Sequence, residues 1–389
     1  MNMKNNKKKI IGIDARMYHI PGGIGRYTRE LISSLERIDS ENEYRVFLRK
    51  EGFDNYQPNN QKFKKVLADI GWYGFSEQLK MPGIWKKEKI NLLHATHFNK
   101  SLFYRRPYVV TIHDLTYSVS AREGMKISKL PPIVYEFKRI AYEWAIRDVI
   151  KKAKKIIVPT NYSKEDIVRM YKINPEKVSV TYESVTGDFS PERRGRDLSV
   201  ISNKFSINKK YFIYVGNASP HKNVKRLIEA FLKFYEINNS FQLVLAGKKE
   251  KFYEQIEREL IERGISRDRV ILTDMVSDEE LYSLLANAYA LTFPSLAEGF
   301  GIPPLEAMAS GIPVLVSNIS CLPEICQDKA LYFDPYNTDD IAEKMRIISE
   351  DENLRENLIK KGLEHVKSFS WDKMARETRE VYESVFWAK

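Results

Sequence analysis

The chain is 389 residues long and 43% hydrophobic, enough for two packed cores and too apolar for a disordered chain. Its formal net charge of +11 suits anionic partners, whether nucleotides, nucleic acid or a phospholipid surface, without choosing among them. Cys321 and Cys326 have no His or Cys neighbours to complete a zinc site, and no apolar run approaches the roughly 20 residues that span a bilayer.

In chain order, Ile10–Asp14 is a short apolar run, read as a buried strand. The next segment, 22–38, spaces Ile24, Tyr27, Leu31, Ile32, Leu35 and Ile38 as one face of a helix. Strands are expected at 44–49, 91–96, 108–115 and 154–160. The last leads into a helix capped by Thr160 or Asn161. Residues 126–155 mix Lys and Arg with aromatic residues. Helical spacing puts Ile133, Phe137, Ile140, Ala141, Trp144 and Ile150 on one side, expected to pack on the sheet. The alternation falters over 186–208, where Gly, Pro, Ser and charges read as a linker. It resumes with strands at 211–216, 241–247, 269–274, 289–295, 312–317 and 330–334, separated by helical patterns, and three helix-like stretches finish the chain. This order predicts an α/β chain of two doubly wound domains, 1–190 and 191–370, followed by a helix over 371–389.

One stretch, EGFGIPPLEAMASGIPV from Glu298 to Val314, holds two acids around a bare turn between a strand end and a helix start. Pro303 or Pro304 suits the first helical turn, and the preceding amides point outward as a seat for phosphate oxygens. Gly299 and Gly301 let a ligand approach the backbone. Glu306 suits two vicinal hydroxyls such as a ribose, and Glu298 a sugar hydroxyl. A solvated turn is the plainer reading, but two glutamates eight positions apart at a strand end favour function. A second strand–loop–helix, 214–231, puts Lys222 where it would neutralise a diphosphate.

These residues resemble the signature of the family 4 retaining glycosyltransferases (GT4), which have the GT-B architecture. GNASPHKN, PGGIGRYTRELI and TIHDL stand where that family has its donor loop, its N-terminal Gly-rich loop and its His-Asp strand end. The resemblance implies two Rossmann-like domains facing across a cleft, an acceptor-binding N-terminal domain and a nucleotide-sugar-binding C-terminal one. It implies a C-terminal helix that returns to the first domain through Trp371, Met374, Val381, Tyr382 and Phe386.

By the same resemblance, Glu306 holds the ribose and Glu298 contacts the donor hexose. The Phe300, Gly301 and Ile302 amides with Lys222 bind the diphosphate, and Gly23 belongs to a loop that closes over the site. His113 reaches the transferred sugar and Asp114 supports it. Asn217 replaces part of a donor loop in which many members carry an arginine, which leaves Lys222, with His221 or Lys225, as the clamp. Met275 and Val276, in the loop 273–276, are expected against the base.

The implied reaction moves a hexose, GDP-mannose being the favoured donor over UDP- or dTDP-sugars, to a glycan or lipid-linked acceptor. It keeps the anomeric configuration, uses no cofactor and needs no metal. The acceptor is expected against the loops 97–106 and 118–130. The basic segment 126–155 suggests peripheral contact with an anionic leaflet. Two thiols and an N-terminus without an apolar signal core predict a cytoplasmic location. A sugar phosphorylase or nucleotide-sugar epimerase of the same architecture is the alternative. A nucleic-acid-binding protein is disfavoured because no zinc finger or RNP motif is present, and a silent partner subunit because His113, Lys222, Glu298 and Glu306 occur together.

Overall fold

The structure is a computed structural model of the chain and describes residues 9–114, 132–196 and 198–387. The described residues divide into two compact units, one of 9–114, 132–183 and 370–387 and the other of 184–196 and 198–369. The chain therefore passes between units after Glu183, ahead of the 190/191 boundary, and again after Phe369.

The first unit holds a seven-stranded sheet of β1 (Ile10–Asp14), β2 (Glu43–Leu48), β3 (Phe63–Leu67), β4 (Leu92–Ala95), β5 (Tyr108–Thr111), β6 (Lys155–Val158) and β7 (Val178–Val180). Their order is β3-β2-β1-β4-β5-β6-β7, with every pair parallel. The second holds β8 (Lys210–Val215), β9 (Phe241–Ala246), β10 (Val270–Leu272), β11 (Ala290–Phe293), β12 (Val314–Ser317) and β13 (Leu331–Phe333), again all parallel. Its order, β10-β9-β8-β11-β12-β13, reverses between β8 and β11, the doubly wound arrangement in which ligands bind past the strands' carboxyl ends. The central strands read as near-continuous apolar runs because helices cover both faces. β3 and β7 are edge strands of five and three residues, mostly half-buried or exposed, too short to show a clear apolar pattern.

Helix Gly23–Ile38 starts at Gly22, whose φ of +95° suits glycine, and buries Tyr27, Leu31 and Leu35 along one face. It ends where the Asp39 amide returns to the Leu35 carbonyl. The last helix, Trp371–Trp387, lies in the same unit and packs on it, burying Trp371, Met374, Val381 and Tyr382, with Phe386 partly covered. Beneath the pair runs a buried polar chain. His94 Nδ1 bonds the Tyr382 hydroxyl at 2.6 Å and His94 Nε2 bonds Thr111 Oγ1 at 2.8 Å, which also bonds the Tyr27 hydroxyl at 3.0 Å. Burial, then the charge of His113, pushes the His94 pKa down to about 3, so its ring is neutral.

Two expectations are corrected. The segment 186–208 is not a plain linker, because it contains a helix, Leu198–Phe205, that buries Ile201 and Phe205 four residues apart. Its Gly- and Pro-rich prelude hid so short a helical period. In helix Pro132–Lys152 the packed side is Ile146, Val149 and Ile150, whereas Ile140 and Trp144 are 51% and 61% exposed. Apolar residues occur all round this helix, so spacing did not single out the buried face. The side chains of Ile133 and Phe137, and the loop 118–130, lie outside the described residues. Thr160 is the cap of helix Asn161–Tyr171, accepting from the Ser163 amide. No helix among the described residues is long and apolar enough to cross a membrane.

The Tyr382→Phe substitution keeps the ring and leaves His94 Nδ1 without its partner, an expected loss of about 1–3 kcal/mol. Urea unfolding measures it, and an unchanged midpoint would show that the buried chain does not stabilise this unit.

Candidate functional site

In the second unit the loops after β8 and β11 emerge side by side, because those strands are neighbours. After β8, Gly216 takes a φ of +145° and leads to the exposed Asn217. Its close neighbour is Gly247 after β9, where an added Cβ would stand 1.9 Å from the Gly216 carbonyl oxygen. The Tyr214 hydroxyl donates to the Asn217 carbonyl at 2.6 Å, and the Asn217 side chain accepts from the Ser219 amide at 3.0 Å. A short turn, Pro220–Lys222, then hands over to helix Val224–Ile237 through Asn223, whose φ is +60°. The buried Asn223 side chain donates through Nδ2 to the Pro294 and Pro335 carbonyls at 3.1 and 2.8 Å, tying the loop to the ends of β11 and β13.

After β11 the chain passes Glu298 and turns at Gly301, φ +88°, into helix Ile302–Ala309. Pro303 and Pro304 fall in the first turn, where a missing amide hydrogen leaves nothing unsatisfied. Ile302, the first helical residue, has no helical carbonyl behind it to receive its N–H. The loop is stitched to the segment after β12: the Glu298 amide donates to Ser320 Oγ at 3.0 Å, and Cys321 Sγ donates to the Phe300 carbonyl at 3.3 Å. The Leu296 amide reaches the His221 carbonyl at 2.7 Å, joining the two loops. Across that join Lys222 Nζ donates to Glu298 Oε1 at 2.6 Å, both side chains being largely buried. Glu306, 2% exposed, sits in the following helix.

The arrangement offers a cation, a pair of carboxylates and a helix start at one sheet edge. It can receive an anion at the amides and hydroxyls at the acids.

In the first unit, His113 lies just past β5. Its Nδ1 bonds Glu183 Oε1 at 3.2 Å and its Nε2 bonds the Thr96 carbonyl oxygen at 3.0 Å. The Tyr27 ring meets it edge-on at 4.7 Å and the His97 ring stacks at 6.3 Å. Burial works against the charged imidazole, but the Glu183 hydrogen bond and charge, the Thr96 carbonyl and Asp114 outweigh it, so the pKa is raised. Asp14, the last residue of β1, and Arg16 just past it form a buried bidentate pair at 2.8 Å, and Arg16 also reaches Glu77 at 2.6 Å.

Two family models match the chain: Glycosyltransferase Family 4 over residues 21–186 and Glycosyl transferases group 1 over 198–365. The chain belongs to this glycosyltransferase family. It is a hexosyltransferase of GT-B architecture, with mannosyltransferases among its homologues. The O-antigen chain mannosyltransferase B of Escherichia coli is 28% identical, over 92% of this chain and 95% of that one. Sucrose-phosphate synthase of Thermosynechococcus elongatus shares the fold with a TM-score of 0.75 at 19% identity, covering 98% of this chain and all of that one. Anabaena Alr3699/HepE, solved with UDP and glucose, shares it at 0.72 and 16% identity, covering 97% of this chain and all of that one.

Within this glycosyltransferase, Lys222, Glu298, Phe300, Gly301, Ile302 and Glu306 lie together on the two adjoining loops and the helix they feed. Met275, 56% exposed, and Val276 follow β10, two strands away from β8. There Asp274, with a φ of +61°, accepts from the Lys249 and Met275 amides. His113, Asp114 and Gly23 belong to the first unit, and the helix that Gly23 opens supplies Tyr27 to His113. The sequence did not reveal Glu183, Thr96 or Asn223. Asn223 sits beside Lys222 in the quoted loop, but Glu183 stands 70 residues from His113 in a segment without a recognisable motif.

Proposed function

We propose that the chain transfers mannose from GDP-mannose to a glycan or lipid-linked acceptor, with retention of anomeric configuration and without a metal. What carries this reading is the turn between Glu298 and Glu306, with its left-handed Gly301 and with Lys222 hydrogen-bonded to Glu298. Cleavage of the anomeric C–O bond leaves negative charge on a diphosphate. In this reading the Phe300, Gly301 and Ile302 amides and Lys222 stabilise that charge where it grows. The approaching anion takes over Lys222, which frees Glu298 for the donor hexose. Glu306 accepts from the ribose hydroxyls, Met275 and Val276 flank the base, and His113 with Asp114 serves the transferred sugar. The leaving phosphate takes the acceptor's proton during attack on the same face. The mannose assignment is supported by the name of the Escherichia coli relative, and the nucleotide-sugar donor by the UDP bound to Anabaena HepE.

Peripheral contact with an anionic leaflet belongs to the same proposal. In the first unit Phe75 and Leu79 are 89% and 70% exposed, one helical turn apart on helix Phe75–Lys87. The turn bearing the exposed Phe103 is held beside them, since Gln78 accepts from Ser101 Oγ and from the Leu102 amide at 2.8 Å each. Exposed Lys80, Arg105 and Arg106 accompany these side chains. Apolar insertion flanked by cations suits such a surface, each well-placed cation adding about 1 kcal/mol.

Glu306→Ala should weaken GDP binding by about tenfold or more, the worth of a charge-assisted hydrogen bond, while His113→Ala leaves binding intact and depresses transfer. Calorimetry and a radiolabelled transfer assay separate the two, and transfer in excess EDTA tests the metal. Product NMR should show the donor's anomer retained; the inverted anomer would end the same-face mechanism, and unaltered GDP binding by Glu306→Ala would end the ribose assignment.

Binding to phosphatidylglycerol vesicles should rise with anionic lipid, fall with salt and drop in Phe75→Ser/Leu79→Ser. Equal partition of that variant and the parent would remove this surface from the contact.

A further inference from the structure

We infer that Glu183 is a positioning residue that keeps His113 doubly protonated, so that Nε2 is a hydrogen-bond donor and the ring does not act as a base. The inference deepens the proposed function and rests on it only for the role given to the transferred sugar. It follows from what each ring nitrogen faces. Nδ1 meets the Glu183 carboxylate at 3.2 Å and Nε2 meets the Thr96 carbonyl oxygen at 3.0 Å. A carbonyl oxygen only accepts, and an ionised carboxylate only accepts. A neutral imidazole has one N–H and would set a lone pair against one of these oxygens; the imidazolium satisfies both.

The surroundings agree. His113 and Glu183 are 12% and 6% exposed at their side chains, so water screens the pair little. Among the described residues, the other titratable groups facing the ring are Asp114 beside it, Tyr27 edge-on from helix Gly23–Ile38, and His97 and His94 around β4. Burial pushes the His97 pKa down to about 4, with the His113 charge lowering it further, so His97 and His94 are neutral near pH 7. Tyr27 is held protonated by burial. Glu183 is thus the buried carboxylate in contact with His113, and it stands at the end of the first unit, three residues past β7. The neighbouring Thr181 amide bonds the Val158 carbonyl at 3.0 Å, which holds this end of the strand against β6.

With Nδ1–H held by Glu183, the ring cannot flip or change tautomer. A sugar hydroxyl that reaches the ring edge would share or take the Nε2–H now given to Thr96 and would itself be the acceptor. Loss of the second proton at high pH would remove that donor.

The test labels the full chain with ¹⁵N-histidine and follows His113 by long-range ¹H–¹⁵N spectra between pH 5.5 and 9.5, without any sugar nucleotide. The chain has six histidines, and His113→Gln assigns the signal. In the unaltered protein both nitrogens should be protonated at pH 7, with a midpoint above the ordinary value of about 6.5. Glu183→Gln, which keeps the shape and removes the charge, should lower that midpoint by about 1 unit or more. The alkaline limb of the transfer rate should move to lower pH with it, whereas a merely structural role would scale the rate at every pH. A midpoint at or below 6.5 in the unaltered protein, or one that Glu183→Gln leaves in place, overturns the inference. Should that variant fail to fold, the titration of the unaltered protein alone decides. Absence of any sugar transfer would defeat the proposed reaction and leave the titration to judge the pair.

Discussion

Within each sheet every strand is parallel, so each delivers its carboxyl end to one edge of its own sheet, and residues distant in sequence meet there. In the second unit this brings Lys222, after β8, to Glu298, after β11, although 76 positions separate them. In the first it brings Thr96, His113 and Glu183 together from the ends of β4, β5 and β7. The apolar interiors of the strands fix this geometry. The loops need only the glycine, proline and asparagine residues that turn sharply, as Gly301 and Asn223 do with positive φ.

Both clusters use one electrostatic device. A buried cation is held by a glutamate from another strand end: Lys222 by Glu298 from the adjoining strand, His113 by Glu183 from two strands away. Removing either partner strands the other charge in a poorly solvated place. Each cation is therefore kept in position before any ligand arrives, and in the proposed reaction an anionic or hydroxylic ligand would exchange for a partner already there. For the proposed reaction, such preorganisation would bear on the charge developing in the transition state.

Much of this was legible in the sequence where one physical demand acts locally. The central strands announce themselves because burial on both faces favours near-continuous apolar runs, as in YFIYV within Lys210–Val215 and VLV within Val314–Ser317. The turn from Glu298 to Glu306 is legible because glycine and proline have few other uses at a helix start. What escaped depends on contacts across the chain. Glu183 is one acid among many until the fold sets it at His113, and Thr96 contributes a backbone carbonyl that no residue type signals. The buried face of Pro132–Lys152 also escaped, because its apolar residues surround the helix and only packing on the sheet chose Ile146, Val149 and Ile150 over Ile140 and Trp144.

The seat of the diphosphate is the most direct test of the proposed reaction. A crystal of the protein soaked with GDP should show phosphate oxygens within hydrogen-bond reach of the Gly301 and Ile302 amides, with Lys222 turned from Glu298 toward them. Phosphate density seated elsewhere, with those amides bare and the Lys222–Glu298 bond unbroken, would contradict it.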